Sequence, residues 1–138
     1  MDKALNYLAL ARKAGLAELG EEPVGDITRA GKGYLVMVAS DASDHTWRRA
    51  KSYVAGTEQQ CIRMKYTKEE MGFVVGRTSL AIAAISDVAM ALALVNSLGE
   101  PEKYKAVIEV LETKTAKAKK RQQEAKAHQR NVRMGKKK

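Results

Sequence analysis

Few residues in this chain could carry acid–base or metal chemistry. His45 stands close to Asp41 and Asp44, a grouping able to move a proton. The run Ser40-Asp41-Ala42-Ser43-Asp44 reads better as turn and cap chemistry, because Ser and Asp are preferred acceptors for the first N–H groups of a helix. A helix is therefore expected to begin near Ser43. Metal sites need clustered His, Cys or carboxylates, whereas His45 and His128 lie far apart and Cys61 is the single cysteine. Both histidines read as exposed polar residues. Cys61, within Gln60-Cys61-Ile62, reads as a small buried hydrophobe that cannot form an internal disulfide. The sequence holds no Gly-x-Ser-x-Gly nucleophile motif, no Walker loop and no dinucleotide glycine pattern. The expectation is a non-enzymatic protein with no metal and no cofactor.

Phosphate recognition is a different matter. Gly20-Glu21-Glu22-Pro23 reads as the start of a helix, where Gly20 permits close backbone approach and free N–H groups point outward. Arg29 and Lys32 follow toward the far end of that helix. The loop Gly76-Arg77-Thr78-Ser79 offers one cation and two hydroxyls. Spacing alone does not say whether these two places meet in space. A third cationic feature is the C-terminal segment, with Lys117, Lys119, Lys120 and Arg121 at its centre.

The elements that must position these residues follow from periodicity. Leu5, Leu8 and Ala9 recur at helical spacing after Asp2, giving a helix over about residues 3–14. A short extended piece, 16–19, precedes helix two, expected from about Pro23 to Ala30, with Pro tolerated in the first turn. Tyr34-Leu35-Val36-Met37-Val38-Ala39 is a strand pattern covered on both faces. A helix through Trp47, Ala50, Lys51 and Val54 leads to a strand over residues 60–65. Thr67-Lys68-Glu69-Glu70 is a capping box for a helix carrying Met71, Val74 and Val75. Leu80 to Ile85 is a second buried strand, and Ser86-Asp87 caps a helix running to Gly99. Alternating helices and strands imply an α/β fold with helices on both sides of a small sheet. Pro101 opens a further helix, whose Tyr104, Val107, Ile108 and Leu111 share one face able to dock. No stretch reaches the roughly 18 uninterrupted apolar residues that span a bilayer, so no membrane association is expected, and the cytoplasm is the default location.

Charge is divided unevenly. Residues 1–113 hold 14 Lys+Arg against 15 Asp+Glu, a net of −1; residues 114–138 hold 11 Lys+Arg against Glu124 alone, a net of +10. Such asymmetry points to a polyanionic partner, most often nucleic acid. The tail has no large apolar residue except Val132 and Met134, too little burial to offset its ordering entropy. It is expected to be a solvated, partly helical arm.

Four segments, taken in order, resemble a known family. They are Gly20-Glu21-Glu22-Pro23-Val24; Ala30-Gly31-Lys32-Gly33 running through the apolar strand to Ser40-Asp41-Ala42-Ser43; Thr67 through Gly76; and Ala84-Ile85-Ser86-Asp87. Together they resemble the ribosomal protein seven-Ae / thirty-e / small-subunit twelve-e / Gadd45 superfamily, in its bacterial YlxQ-like branch, over roughly residues 3–98. The resemblance implies a three-layer α/β/α sandwich with a mixed four-stranded sheet. It also implies binding to kink-turn RNA through the start of helix two and the loop before the last strand. Archaeal-type members carry an Asn-Glu pair and a following Lys at helix two; the matching positions here are Glu22, Pro23 and Asp26. A carboxylate facing phosphate is unfavourable, and the tail is expected to supply affinity the head has lost.

The expected organisation is an RNA-binding α/β domain over residues 1–98, a docking helix over 99–113 and a basic helical or disordered tail over 114–138. The expected function is binding of structured RNA as a ribosomal or ribosome-associated protein, with RNA-binding residues Gly20, Glu21, Glu22, Arg29, Lys32, Arg77, Thr78, Ser79, Lys117, Lys119, Lys120 and Arg121. Expected partners are RNA, ribosomal or otherwise structured, and ribosomal proteins. The alternative is a protein-interaction module on the same fold with a nonspecific electrostatic tail. The RNA's identity and the oligomeric state are not legible in the sequence.

Overall fold

The Asp2 carboxylate accepts a hydrogen bond from the Ala4 N–H and opens α1 (Lys3–Lys13), which buries Ala4, Leu5, Leu8 and Ala11 along one stripe. That i, i+1, i+4, i+7 set is the apolar face expected of an amphipathic helix. The computed structural model describes the backbone of residues 2–135 and the side chains of residues 2–126. The sequence expectations for the His128, Val132 and Met134 side chains and for Lys136 to Lys138 fall outside the described residues.

After α1 the order is β1 (Ala17–Leu19), α2 (Glu21–Arg29), β2 (Leu35–Val38), α3 (Asp44–Val54), β3 (Gln60–Arg63), α4 (Lys68–Phe73), β4 (Ile82–Ile85), α5 (Val88–Ser97) and α6 (Lys105–Gly135). The strands form one sheet in the order β1-β4-β2-β3. β4 is antiparallel to both β1 and β2, while β2 and β3 run parallel. β2 and β4 are the central strands, and every residue of both is buried. Their continuous Leu-Val-Met-Val and Ile-Ala-Ala-Ile runs fit a sheet covered on both faces. Each large aliphatic side chain buried there contributes about 1.5–3 kcal/mol.

α2 and α3 pack together on the sheet, and α5 packs on both α1 and α6. This is the three-layer α/β/α arrangement, with a mixed four-stranded sheet, expected from the alternation of elements. The capping box at α4 is present in both halves: Thr67 Oγ1 accepts from Glu70 N–H at 3.1 Å and Glu70 Oε1 from Thr67 N–H at 3.0 Å. Ser43 caps α3 by accepting from Thr46 N–H at 3.2 Å, and Asp41 accepts from Lys68 N–H at 2.8 Å. Asp41 is thus in structural use, and Asp44 lies in the first turn of α3, where a carboxylate complements the helix dipole.

Several boundaries differ from the sequence expectation: β3 ends at Arg63 and not at residue 65, α4 ends at Phe73, short of Val74 and Val75, and β4 begins at Ile82 and not at Leu80. α2 begins at Glu21, not Pro23, because Gly20 takes the N-cap position at φ +102°, a conformation that favours glycine. The last helix begins at Lys105 after a turn through Pro101, then continues unbroken to Gly135. Its Tyr104–Leu111 stripe docks on the domain, with Tyr104 and Leu111 buried. Among the described residues no helix is long and apolar enough to cross a membrane.

Candidate nucleic-acid interface

Gly20 is where two of the candidate segments meet. Its N–H donates to Ile82 O at 3.0 Å, which ties the start of α2 to the first residue of β4. A Cβ on Gly20 would lie 3.8 Å from Pro23 Cδ and 3.9 Å from Arg77 Nη1. The guanidinium of the loop before β4 therefore reaches the N-cap of α2. Gly20 supplies no side-chain cap, and Pro23 has no N–H, so the Glu21 and Glu22 amides are left for solvent or a ligand. Free amides at a helix start, with a cation beside them, form an anion-binding arrangement.

The loop is held firmly. Arg77 N–H donates to Gly72 O at 2.9 Å and Leu80 N–H to Lys68 O at 2.9 Å, while Leu80 is buried. Gly72 explains how the loop can lie so close to α4: a Cβ there would sit 2.8 Å from Ser79 Cα and 2.9 Å from Arg77 O. Arg77, Thr78 and Ser79 remain exposed. Opposite, α2 is pinned to α3 by the Tyr53 hydroxyl, which donates to Glu21 O at 3.5 Å. Gly25 leaves room for that ring, whose nearest atom would be 3.3 Å from an added Cβ.

The same neighbourhood carries negative charge. Glu18 of β1 and Glu22 and Asp26 of α2 line one shallow groove with Pro23 and Ile27. Arg29 forms an ion pair with Asp26 in which both side chains are largely exposed, so its charge is locally balanced. Arg29 lies in the last turn of α2 and Lys32 beyond it, away from Gly20. The structure thus gathers Gly20, Glu21, Glu22, Arg77, Thr78 and Ser79 at one end of β4; Arg29 lines an adjoining cleft with Glu21, Glu22 and Arg49, and Lys32 lies outside that group.

Lys117, Lys119, Lys120 and Arg121 are elsewhere. Tyr104 donates its hydroxyl to Arg63 O at 3.3 Å, placing the residue before α6 at the end of the sheet where β3 finishes and β4 starts. α6 then crosses the domain. At the other end Lys114 Nζ meets Glu58 Oε2 at 3.0 Å, just before β3, and Lys117 and Arg121 line a cleft with Tyr34 and Val88. Lys119 lines a neighbouring cleft with Ser86, Asp87 and Thr115. The Lys114 ammonium, beside Glu58, holds that carboxyl below its ordinary 4.5.

Sequence reasoning missed Gly72 and Lys114. Gly72 carries no local signal; its role depends on a loop that folds back five to seven residues later. The Lys114–Glu58 contact joins residues far apart in the chain and carried no local signal. Cys61 is half-buried, and burial pushes its thiol up to about 12, which leaves it a poor nucleophile. Among the described residues no group of three or more His, Cys, Asp or Glu could hold a metal ion.

No protein-family model matches the chain. The chain is 34% identical over 76 residues to the RNA-binding protein YlxQ of Enterococcus faecium, a match covering 54% of this chain and 72% of that protein. A protein of unknown function from Bacillus halodurans C has a similar fold, with TM-score 0.67 and 23% identity, over 72% of this chain and 100% of that one. The 15.5kD RNA binding protein of Giardia lamblia is also similar in fold, with TM-score 0.54 and 18% identity, over 75% of this chain and 85% of that one.

Proposed function

The chain belongs to the family of the RNA-binding protein YlxQ, and from that premise we propose that it binds structured RNA without catalysis. The proposed target is a kinked, kink-turn-like helix in ribosomal or ribosome-associated RNA. The observation that carries this reading is the approach of Arg77 Nη1 to the uncapped start of α2 at Gly20. Two backbone amides and one guanidinium can together hold phosphate oxygens, and the shape of the two adjoining segments selects a bent backbone over a regular duplex. The basic part of α6 adds attraction that is independent of sequence.

The carboxylates of Glu18, Glu22 and Asp26 weaken this end for phosphate and favour a second reading, a protein-interaction surface on the same fold. A salt titration separates the two. Binding is measured to a kink-turn RNA and to a plain duplex of equal length. The RNA reading expects preference for the kinked RNA at every salt concentration. Arg77→Ala should cost about 1 kcal/mol of affinity, the net value of one exposed hydrogen bond, and Gly20→Val should cost more. Equal affinity for the two RNAs, unaltered by either substitution, would leave the interaction reading standing.

A further inference from the structure

The uncapped start of α2 and the cationic stretch of α6 do not share a surface. Gly20 is bonded to Ile82 at the first residue of β4. Lys119 lines its cleft with Ser86 and Asp87, just past the last residue of the same strand. Four strand residues separate these ends by roughly 13 Å, and the separation grows from there. α6 runs from Tyr104 at the α2-start end to Lys114 at the other, so residues beyond Lys114 continue away from Gly20. From Lys114 to Gly135 the helix is unbroken, a reach of about 30 Å. It has no turn through which the arm could fold back.

The docking also fixes where the cations go. Tyr104 and Leu111 are buried, and beyond them the same face, through Thr115 and Ala118, lines an open cleft with the Ser86–Ala89 segment. Lys117, Lys119, Lys120 and Arg121 are exposed. Lys117 and Arg121 stand on one side of that face, toward Tyr34 and Glu58, and Lys119 on the other. Against these cations the folded head has a net charge of −1, which gives a phosphate backbone held by the arm no reason to wrap around toward Gly20.

We infer that the protein is a two-site RNA bridge, in which the α2–loop end holds one RNA segment while the α6 arm takes a second, separate segment. The inference rests on the RNA-binding reading above and adds to it that the two sites are occupied together. The ligand of the arm is a phosphate backbone, recognised by charge and spacing, with no base readout.

The test uses the full chain and two short RNAs. An immobilised kink-turn hairpin is saturated with protein at low salt, and a fluorescently labelled plain duplex is then added. The expected result is capture of the duplex with the hairpin still bound, at one protein per pair of RNAs by mass photometry. Lys117→Gln, Lys119→Gln, Lys120→Gln and Arg121→Gln combined should lower duplex capture by roughly tenfold or more, while the hairpin binding that remains keeps its preference for the kinked form and its dependence on Arg77. Arg77→Ala should do the reverse, weakening the hairpin contact and leaving duplex binding intact. Displacement of the hairpin by the duplex, or capture only through two copies of the protein, overturns the bridge and leaves the RNA-binding reading in place. Failure of either RNA to attach overturns that reading itself.

Discussion

Gly72 decides whether the loop that carries Arg77 can sit where it does. A Cβ at this position would meet Ser79 Cα at 2.8 Å and Arg77 O at 2.9 Å, both backbone atoms, which cannot swing aside as a long side chain can. Gly72→Ala should therefore shift the 77–79 segment, destabilise the domain by about 1–3 kcal/mol as overpacking does, and weaken RNA binding more than Arg77→Ala, because the loop backbone moves as well as the guanidinium. Denaturant unfolding and a binding titration check both halves. A variant with unaltered stability and unaltered affinity would show that the loop is not set by this contact. The glycine stood in plain view in Glu70-Met71-Gly72-Phe73, yet its task was hidden. Its φ is not positive, so no local turn rule singles it out. Gly20 was the opposite case: a turn-forming glycine before two acids and a proline marks a helix start, and only the helix's first residue was misplaced, by two positions.

At the scale of elements, what was legible depended on how large the buried side chains are. The continuous apolar runs at β2 and β4 and the two-armed cap at α4 gave correct strands and a correct helix start, since each is a local signal with one physical cause. The α6 face was read only as far as Leu111, where the large apolar residues stop. In the structure Thr115 and Ala118 continue that side of the helix and line an open cleft with Ser86–Ala89, an arrangement of small and polar residues that periodicity of hydrophobes cannot register. Leu111 itself is fully buried. Leu111→Ala should cost about 2–5 kcal/mol, and the loss should fall on α6 first, because that helix packs mainly on α5. Hydrogen exchange should quicken along α6 while β2 and β4 stay protected; equal acceleration in sheet and helix would show that α6 is not a separable layer. The Glu58–Lys114 contact adds a pH dependence. Lys114 lowers the Glu58 pKa, so the contact favours docking above the ordinary carboxylate range and is lost as pH falls through the lowered value.

Over the whole molecule the charge is segregated: residues 1–113 have a net of −1, with carboxylates beside their own candidate anion site, and residues 114–138 a net of +10, whose described part runs away from that site along α6. The charge partition was fully legible in the sequence, whereas the axis was not, because only the crossing of α6 over the domain shows that the two ends face apart. The consequence can be measured as a salt slope. Each phosphate neutralised adds roughly 0.9 to the slope of log K against log salt on a duplex. The head offers Arg77 beside the α2 start, with Arg29 and Arg49 in an adjoining cleft with Glu21 and Glu22, so deleting residues 117–138 should leave a shallow slope, of about one to three phosphates. The intact chain should be steeper by several such increments, and most of its affinity for plain duplex should vanish between low and physiological salt. The truncation leaves Leu111 and Lys114 in place, so the domain keeps its docked helix and the comparison reads charge alone. Equal slopes for the two proteins would mean that the arm touches no phosphate, and that the segregation serves solubility instead of recognition.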